Sequence, residues 1–293
     1  MAAKTQKKEK TSPAIAKSKD GTIQITLKIP FKEIKAARET AAREIGKNLE
    51  ISGFRKGKAP LSKLLANIPE NTLIEQTLRL ILPKLTAKVV KENKLKIAIY
   101  PRFELISAEE GKDWQVRAIT CEIPKVELGD YKKIVKKSVK GSELWTPDKK
   151  EEKKEVTKEE KEQRAVTALL ENIKVDIPKP LIDSETEKRL AQLLERIEKL
   201  GLTLESYLSS IGKKIEDLRL DYEKQAVEAI KLDLILFKIA EEEKIKVSRE
   251  EVDKAMQIFV NSGESPKALE ERKMVIESIL KKRAALDALT SLL

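Results

Sequence analysis

Histidine is absent from this 293-residue chain, and cysteine occurs once, at Cys121. Without imidazole there is no His general base, no Ser-His or Cys-His nucleophile pair and no zinc site built on imidazole. One thiol makes neither an internal disulfide nor a Cys-x-x-Cys motif, which fits a reducing compartment. Aromatic residues make up only 4% of the chain. No apolar run approaches the roughly 18 residues a membrane helix needs; stretches such as Leu234 to Phe237 are short and flanked by charge. The charged start of the chain has no hydrophobic segment behind it, so the expectation is a soluble, cytoplasmic protein with no membrane partner.

What the chain does contain is 40% hydrophobic and 37% charged residues, enough for a folded, helix-rich protein with wide solvated faces. At about 150 residues per domain its length suggests two domains. The net charge of +11 is lopsided. Residues 1–19 hold six lysines against Glu9, residues 20–120 hold 19 cations against 12 acids, and the rest hold 35 against 36. All the excess therefore lies in the first 120 residues, which suggests that the front of the molecule meets a polyanion.

The tail over residues 1–19, rich in Lys, Ser and Ala, reads as disordered. From Thr22 to Ile29 the chain alternates strictly, with Ile23, Ile25, Leu27 and Ile29 on one face, as a half-buried strand does. The period becomes helical from Phe31 to about Leu49, and Pro60 is placed to open a short helix. Thr72 to Glu92 is a further helix, with a kink expected at Pro83. Ile97 to Ile106 and Asp113 to Glu122 read as strands. Residues 20–123 are thus an α+β domain, a small antiparallel sheet with helices on one side. Residues 124–147 read as an extended basic linker, and helical signals dominate residues 148–293, including the Ser248/Glu251 capping box.

One segment stands apart, Gly53-Phe54-Arg55-Lys56-Gly57-Lys58-Ala59-Pro60. Two glycines four apart permit a tight protruding loop, and Pro60 anchors its exit. A phenyl ring bracketed by three cations suits docking on an anionic surface that contains a small apolar cleft. In the alternative, Phe54 packs back onto the sheet and the cations are merely solvated. The segment is not a phosphate-cradling loop, because no hydroxyl follows Gly57-Lys58.

The pattern Gly53, Phe54, Arg55, Gly57, Pro60 resembles the ribosome-binding loop of the trigger factor family of bacterial chaperones. The resemblance continues through Glu122 to Tyr131, through Ile177 to Glu185, and from Leu202 through the long helix to Val252. It implies an ATP-independent chaperone whose residues 20–123 bind the ribosome and whose residues 148–293 form an elongated, all-α, SurA-like body with arm-like helices. The implied partners are a large-subunit protein at the tunnel exit, the adjoining rRNA, and nascent or unfolded polypeptides, with a homodimer allowed away from the ribosome. Gly53, Phe54, Arg55, Lys56, Gly57, Lys58 and Pro60 are the implied ribosome contacts. Met256, Phe259, Met274 and Ile279 are candidates for client contact, although helical apolar stripes more often face a core.

The family's FKBP-type prolyl isomerase domain has no room between linker and body. The resemblance therefore implies no enzyme, no catalytic residues, no metal and no cofactor. The rival reading is an RNA- or ribonucleoprotein-binding protein without chaperone activity.

Overall fold

The computed structural model describes residues 14–140, 157–259 and 266–293, apart from the side chains at 139, 140, 258, 259 and 266–268. They form two compact units divided between Ile123 and Pro124.

The first unit is built on a four-stranded antiparallel sheet in the order β1-β2-β4-β3. Its strands are β1 (Ala14–Lys17), β2 (Thr22–Ile29), β3 (Arg102–Ser107) and β4 (Trp114–Cys121). The alternation of β2 sends Ile23, Ile25, Leu27 and Ile29 into the core, where Trp114, Val116 and Ala118 of β4 join them. Helices α1 (Phe31–Gly46) and α3 (Glu70–Glu92) cover that face with Ile34, Ile81, Leu82 and Val89.

Pro30, with φ −62°, leads into α1, and Pro60, with φ −63°, into α2 (Leu61–Asn67), because the ring presets the backbone angle at the entrance to a helix. Pro83 lies inside α3, which stays helical for all 23 residues. Burial of Ile81 and Leu82 beside it offsets the lost bond, and Arg79, whose carbonyl loses its donor, is exposed to water.

Two expectations need correction in this unit. Residues 14–17 of the expected disordered tail form β1, paired with β2 from Ala14↔Thr26 to Lys17↔Ile23, and Lys17 Nζ lies 2.6 Å from Glu122; residues 1–13 of that tail lie outside the described residues. The strand expected from Ile97 starts only at Arg102, because Pro101 has no N–H to donate. Before it, Ile97 bridges Glu122, and the Thr120 hydroxyl donates to the Ile99 carbonyl at 2.7 Å.

A second, smaller cluster joins the end of α1 to α2 and the start of α3 through Ala41, Ala42, Leu64, Ile68 and Leu73. Gly46 closes α1 against the Leu64 side chain so tightly that a Cβ there would come within 2.5 Å of it. Ile51, Ala59 and Leu61 pack on this cluster, so it holds both ends of the Gly53–Pro60 loop.

The second unit is helical: α4 (Tyr131–Lys140), α5 (Lys158–Asn172), α6 (Lys179–Lys199), α7 (Leu204–Ile211), α8 (Ile215–Glu242), α9 (Arg249–Phe259) and α10 (Pro266–Thr290). Its core gathers Leu128, Tyr131 and Val135 with Ala165, Leu169 and Ile173 of the α5 region, Ile235 and Ile239 of α8, and Ala285 and Leu289 of α10. The 124–147 linker is therefore not extended throughout. Tyr131, Ile134, Val135 and Ser138 share one helical face, and the lysines between them coat the other side. Residues 141–156, including Trp145, lie outside the described residues.

Ion pairs bind the elements of this unit together. Arg283 grips Glu162 at 2.7 and 3.2 Å, and Lys158 reaches Asp287 at 2.7 Å. At the start of α4 the Tyr131 hydroxyl donates to Glu243 beyond the end of α8, and Lys132 Nζ lies 2.6 Å from the same carboxylate. The capping box is present, with the Glu251 N–H donating to Ser248 Oγ at 3.2 Å and the Ser248 N–H donating to Glu251 at 2.9 Å.

Two outcomes follow. Leu64→Ala empties the cluster under the loop and should cost about 2–5 kcal/mol, read as a lower denaturation midpoint of the first unit in urea. The Lys132 ammonium, and then the Tyr131 hydroxyl, hold the Glu243 carboxyl below its ordinary value. Its stabilising contribution is therefore full above the ordinary carboxylate range and lost as pH falls through the depressed folded value. Glu243→Gln should lower the urea midpoint at pH 7 and leave it near the wild-type value at pH 2.5.

Candidate functional site

The Gly53–Pro60 loop is made of two consecutive turns. The Phe54 N–H donates to the Ile51 carbonyl at 3.0 Å, and the Lys58 N–H donates to the Arg55 carbonyl at 2.9 Å. In each turn the third residue is glycine with a positive φ, 84° at Gly53 and 79° at Gly57, the conformation a type II turn demands there. The geometry explains the two-glycine spacing, since one turn presents Phe54 and the next reverses the chain toward Pro60 and α2.

Phe54 belongs to none of the buried clusters and is 39% exposed. Most of the ring is covered, and more than a third of the residue meets solvent. Arg55, Lys56 and Lys58 are exposed, and no described carboxylate pairs with them. The structure thus brings together a partly exposed ring and three free cations on one short loop. A surface that offers an apolar notch beside negative charge would complement both features.

Of the four client candidates, Met256 and Phe259 belong to α9, and Met274 and Ile279 to α10. Met274 and Ile279 are exposed on α10, at 66% and 54%, and Val275, which sequence reasoning passed over, is 58% exposed beside them. Met256 is half-buried on α9, and the side chain of Phe259 lies outside the described residues.

A feature the sequence reading missed is a cleft of about 380 Å³ between α6, α7 and α8, lined by Leu190, Leu193, Leu194, Leu204, Ile215 and Leu218. Its signal was available, because α6 carries more leucines at helical spacing than the core uses, burying only Thr186 and Ile197.

Cys121 is fully buried, and burial followed by the nearby Asp20 charge pushes its thiol up to about 11, so it is an inert apolar group. Among the described residues no cluster of acids and cysteine could hold a metal ion, and no helix is long and apolar enough to cross a membrane.

Two family models match the chain. One, described as bacterial trigger factor protein, covers residues 14–167, and the other, described as the trigger factor C-terminus, covers residues 147–291. The matches overlap and leave no interval between them. Among curated proteins, a trigger factor of Streptococcus agalactiae is 37% identical over 110 residues, 38% of this chain and 26% of the relative. That of Streptococcus uberis is 36% identical over 110 residues, and that of Streptococcus pyogenes 36% over 111, with the same shares of each chain. The matched stretch thus spans about a quarter of the length of these relatives.

A solved structure, from work on promiscuous substrate recognition in the folding and assembly activities of the trigger factor chaperone, superposes with a TM-score of 0.57 over 95% of this chain and 99% of that one. At 16% identity it establishes the fold alone. Its fold, together with a family match over more than half of its residues, places the chain in the trigger factor family.

Proposed function

We propose that this chain is an ATP-independent chaperone that docks at the ribosomal tunnel exit through the Gly53–Pro60 loop and shields emerging polypeptide with its helical unit. The observation that carries the reading is the partly exposed Phe54 ring flanked by Arg55, Lys56 and Lys58, with which no described carboxylate pairs. Covering the exposed part of a phenyl group, about 80 Å², is worth about 2 kcal/mol. The cations add charge-assisted bonds to rRNA phosphates or protein carboxylates. Together these suit a reversible contact, with the ring as anchor and the charges as steering.

Chaperone action by the second unit is supported by apolar surface that its core leaves open. Leu200 is 74% exposed and Leu220 54%, and Ile215, 52% exposed, lines a cleft large enough for a few aliphatic side chains. Charged residues separate these patches, a pattern suited to brief, degenerate contact with unfolded segments. The helix α4 occupies part of the connection where the family carries an isomerase domain, and the reading assigns no reaction to the chain. Its place of action is the compartment that holds ribosomes, the cytoplasm.

Ribosome co-sedimentation tests the docking. The Phe54→Ala, Arg55→Ala, Lys56→Ala variant should pellet with ribosomes at least tenfold less than wild type at 100 mM salt, and equal pelleting would remove the assignment. Phe54→Ala alone should weaken ribosome binding while leaving binding to a naked oligoribonucleotide unchanged; the rival RNA-binding reading expects no effect in either assay. For the body, Leu190→Asn with Leu194→Asn should reduce suppression of client aggregation by the full chain without altering ribosome pelleting.

A further inference from the structure

We propose that the groove between α1 and α3 is a second anion-binding surface, which takes the phosphodiester backbone of RNA alongside the loop. The groove has a volume of about 530 Å³; Ala36, Ala37 and Thr40 line it from α1, and Lys84 and Lys88 line it from α3 together with three aliphatic side chains. The two lysines stand one turn apart, about 6 Å along the axis, which is close to the separation of successive phosphates along an RNA strand. Lys91, seven residues beyond Lys84, extends the row.

Charge pairing separates the sheet from the helices of the first unit, where among the described residues only Arg38 is paired, with Glu70. On the sheet, Lys17 pairs with Glu122, Lys28 with Asp113 and Arg117 with Glu104, and at the β3–β4 turn Lys112 pairs with Glu109. None of the cations on α2, on α3 or in the loop has a carboxylate partner among the described residues. Folding therefore neutralises the sheet side and leaves the helix side and the loop charged. Small side chains on α1 keep the groove open beside the lysine row. Glu33 is the opposing charge, lining the groove from α1 without an ion pair. A phosphate backbone, charged at every nucleotide, matches the lysine row in sign and spacing.

That the RNA belongs to the ribosome rests on the docking reading above, but the groove itself is tested apart from it. The full chain is titrated with a labelled 20-nucleotide oligouridylate by fluorescence anisotropy between 50 and 300 mM KCl. Lys84→Gln with Lys88→Gln should weaken binding severalfold at 100 mM and reduce the log-log salt slope by about 1.4, two phosphates at about 0.7 each. Lys84→Arg with Lys88→Arg should keep the slope, and Glu33→Gln should tighten binding.

An unchanged slope in the glutamine variant overturns the proposal, and so does equal loss in the arginine variant, which would mark a structural role. Equal loss from Lys28→Gln with Arg117→Gln on the sheet would show a diffuse charge effect and overturn it too. Weakened binding to polyglutamate with an unchanged oligouridylate slope would assign the groove to an acidic protein instead. The loop variant in ribosome pelleting decides the docking reading alone, so either reading can fail while the other stands.

Discussion

An aromatic ring held partly in water is unfavourable, and the chain sustains one at Phe54 only because the backbone on either side is fixed. Gly53 and Gly57 adopt left-handed angles that an L side chain would resist, and each closes a turn with one hydrogen bond. Both ends of the loop are held by the small cluster around Leu64, which in turn requires Gly46 to have no side chain. The loop is thus preorganised, so that ordering it would cost little in the contact proposed above. That is how a contact of a few side chains can be specific without being permanent.

The two units solve opposite electrostatic problems. In the helical unit, acids and bases are nearly equal in number and pair between elements, Glu162 with Arg283, Asp287 with Lys158 and Glu243 with Lys132. Such exposed pairs contribute little each, but they keep the surface close to neutral, so what varies across it is apolar exposure. In the first unit the cations of the loop and of α2 and α3 stay unpaired while those of the sheet are neutralised. One unit therefore offers charge, and the other offers leucine.

Much of this was legible in the sequence where the signal is local. The strict alternation of Thr22 to Ile29 fixed both the strand and its buried face, and the two glycines with Pro60 marked the loop before its turns were seen. Non-local features were not legible. The strand β1 holds a single large apolar residue, Ile15, and exists through pairing with β2, which no window of its own sequence displays. Helix α4 was hidden because Lys132, Lys133, Lys136 and Lys137 dilute a stripe whose partners, Leu169 and Ile239, lie far along the chain. The exposure of Phe54 was open to either reading until the ring was seen to belong to no core.

Charge counting carried the same limit in another form. An excess of cations before residue 120 was visible at once, yet a count treats Lys28 and Lys84 alike. Folding separates them: Lys28 meets Asp113 at 3.3 Å across the strand ends, while Lys84 lines an open groove and pairs with no described acid. A cation already paired must give up its carboxylate before it can bind a phosphate, whereas a free one releases only counterions from the nucleic acid. Each pair removes one acid with one cation, so folding leaves the net excess unchanged and alters only which cations are free. The loop cations belong to that same free set, so they too would release only counterions on meeting a phosphate.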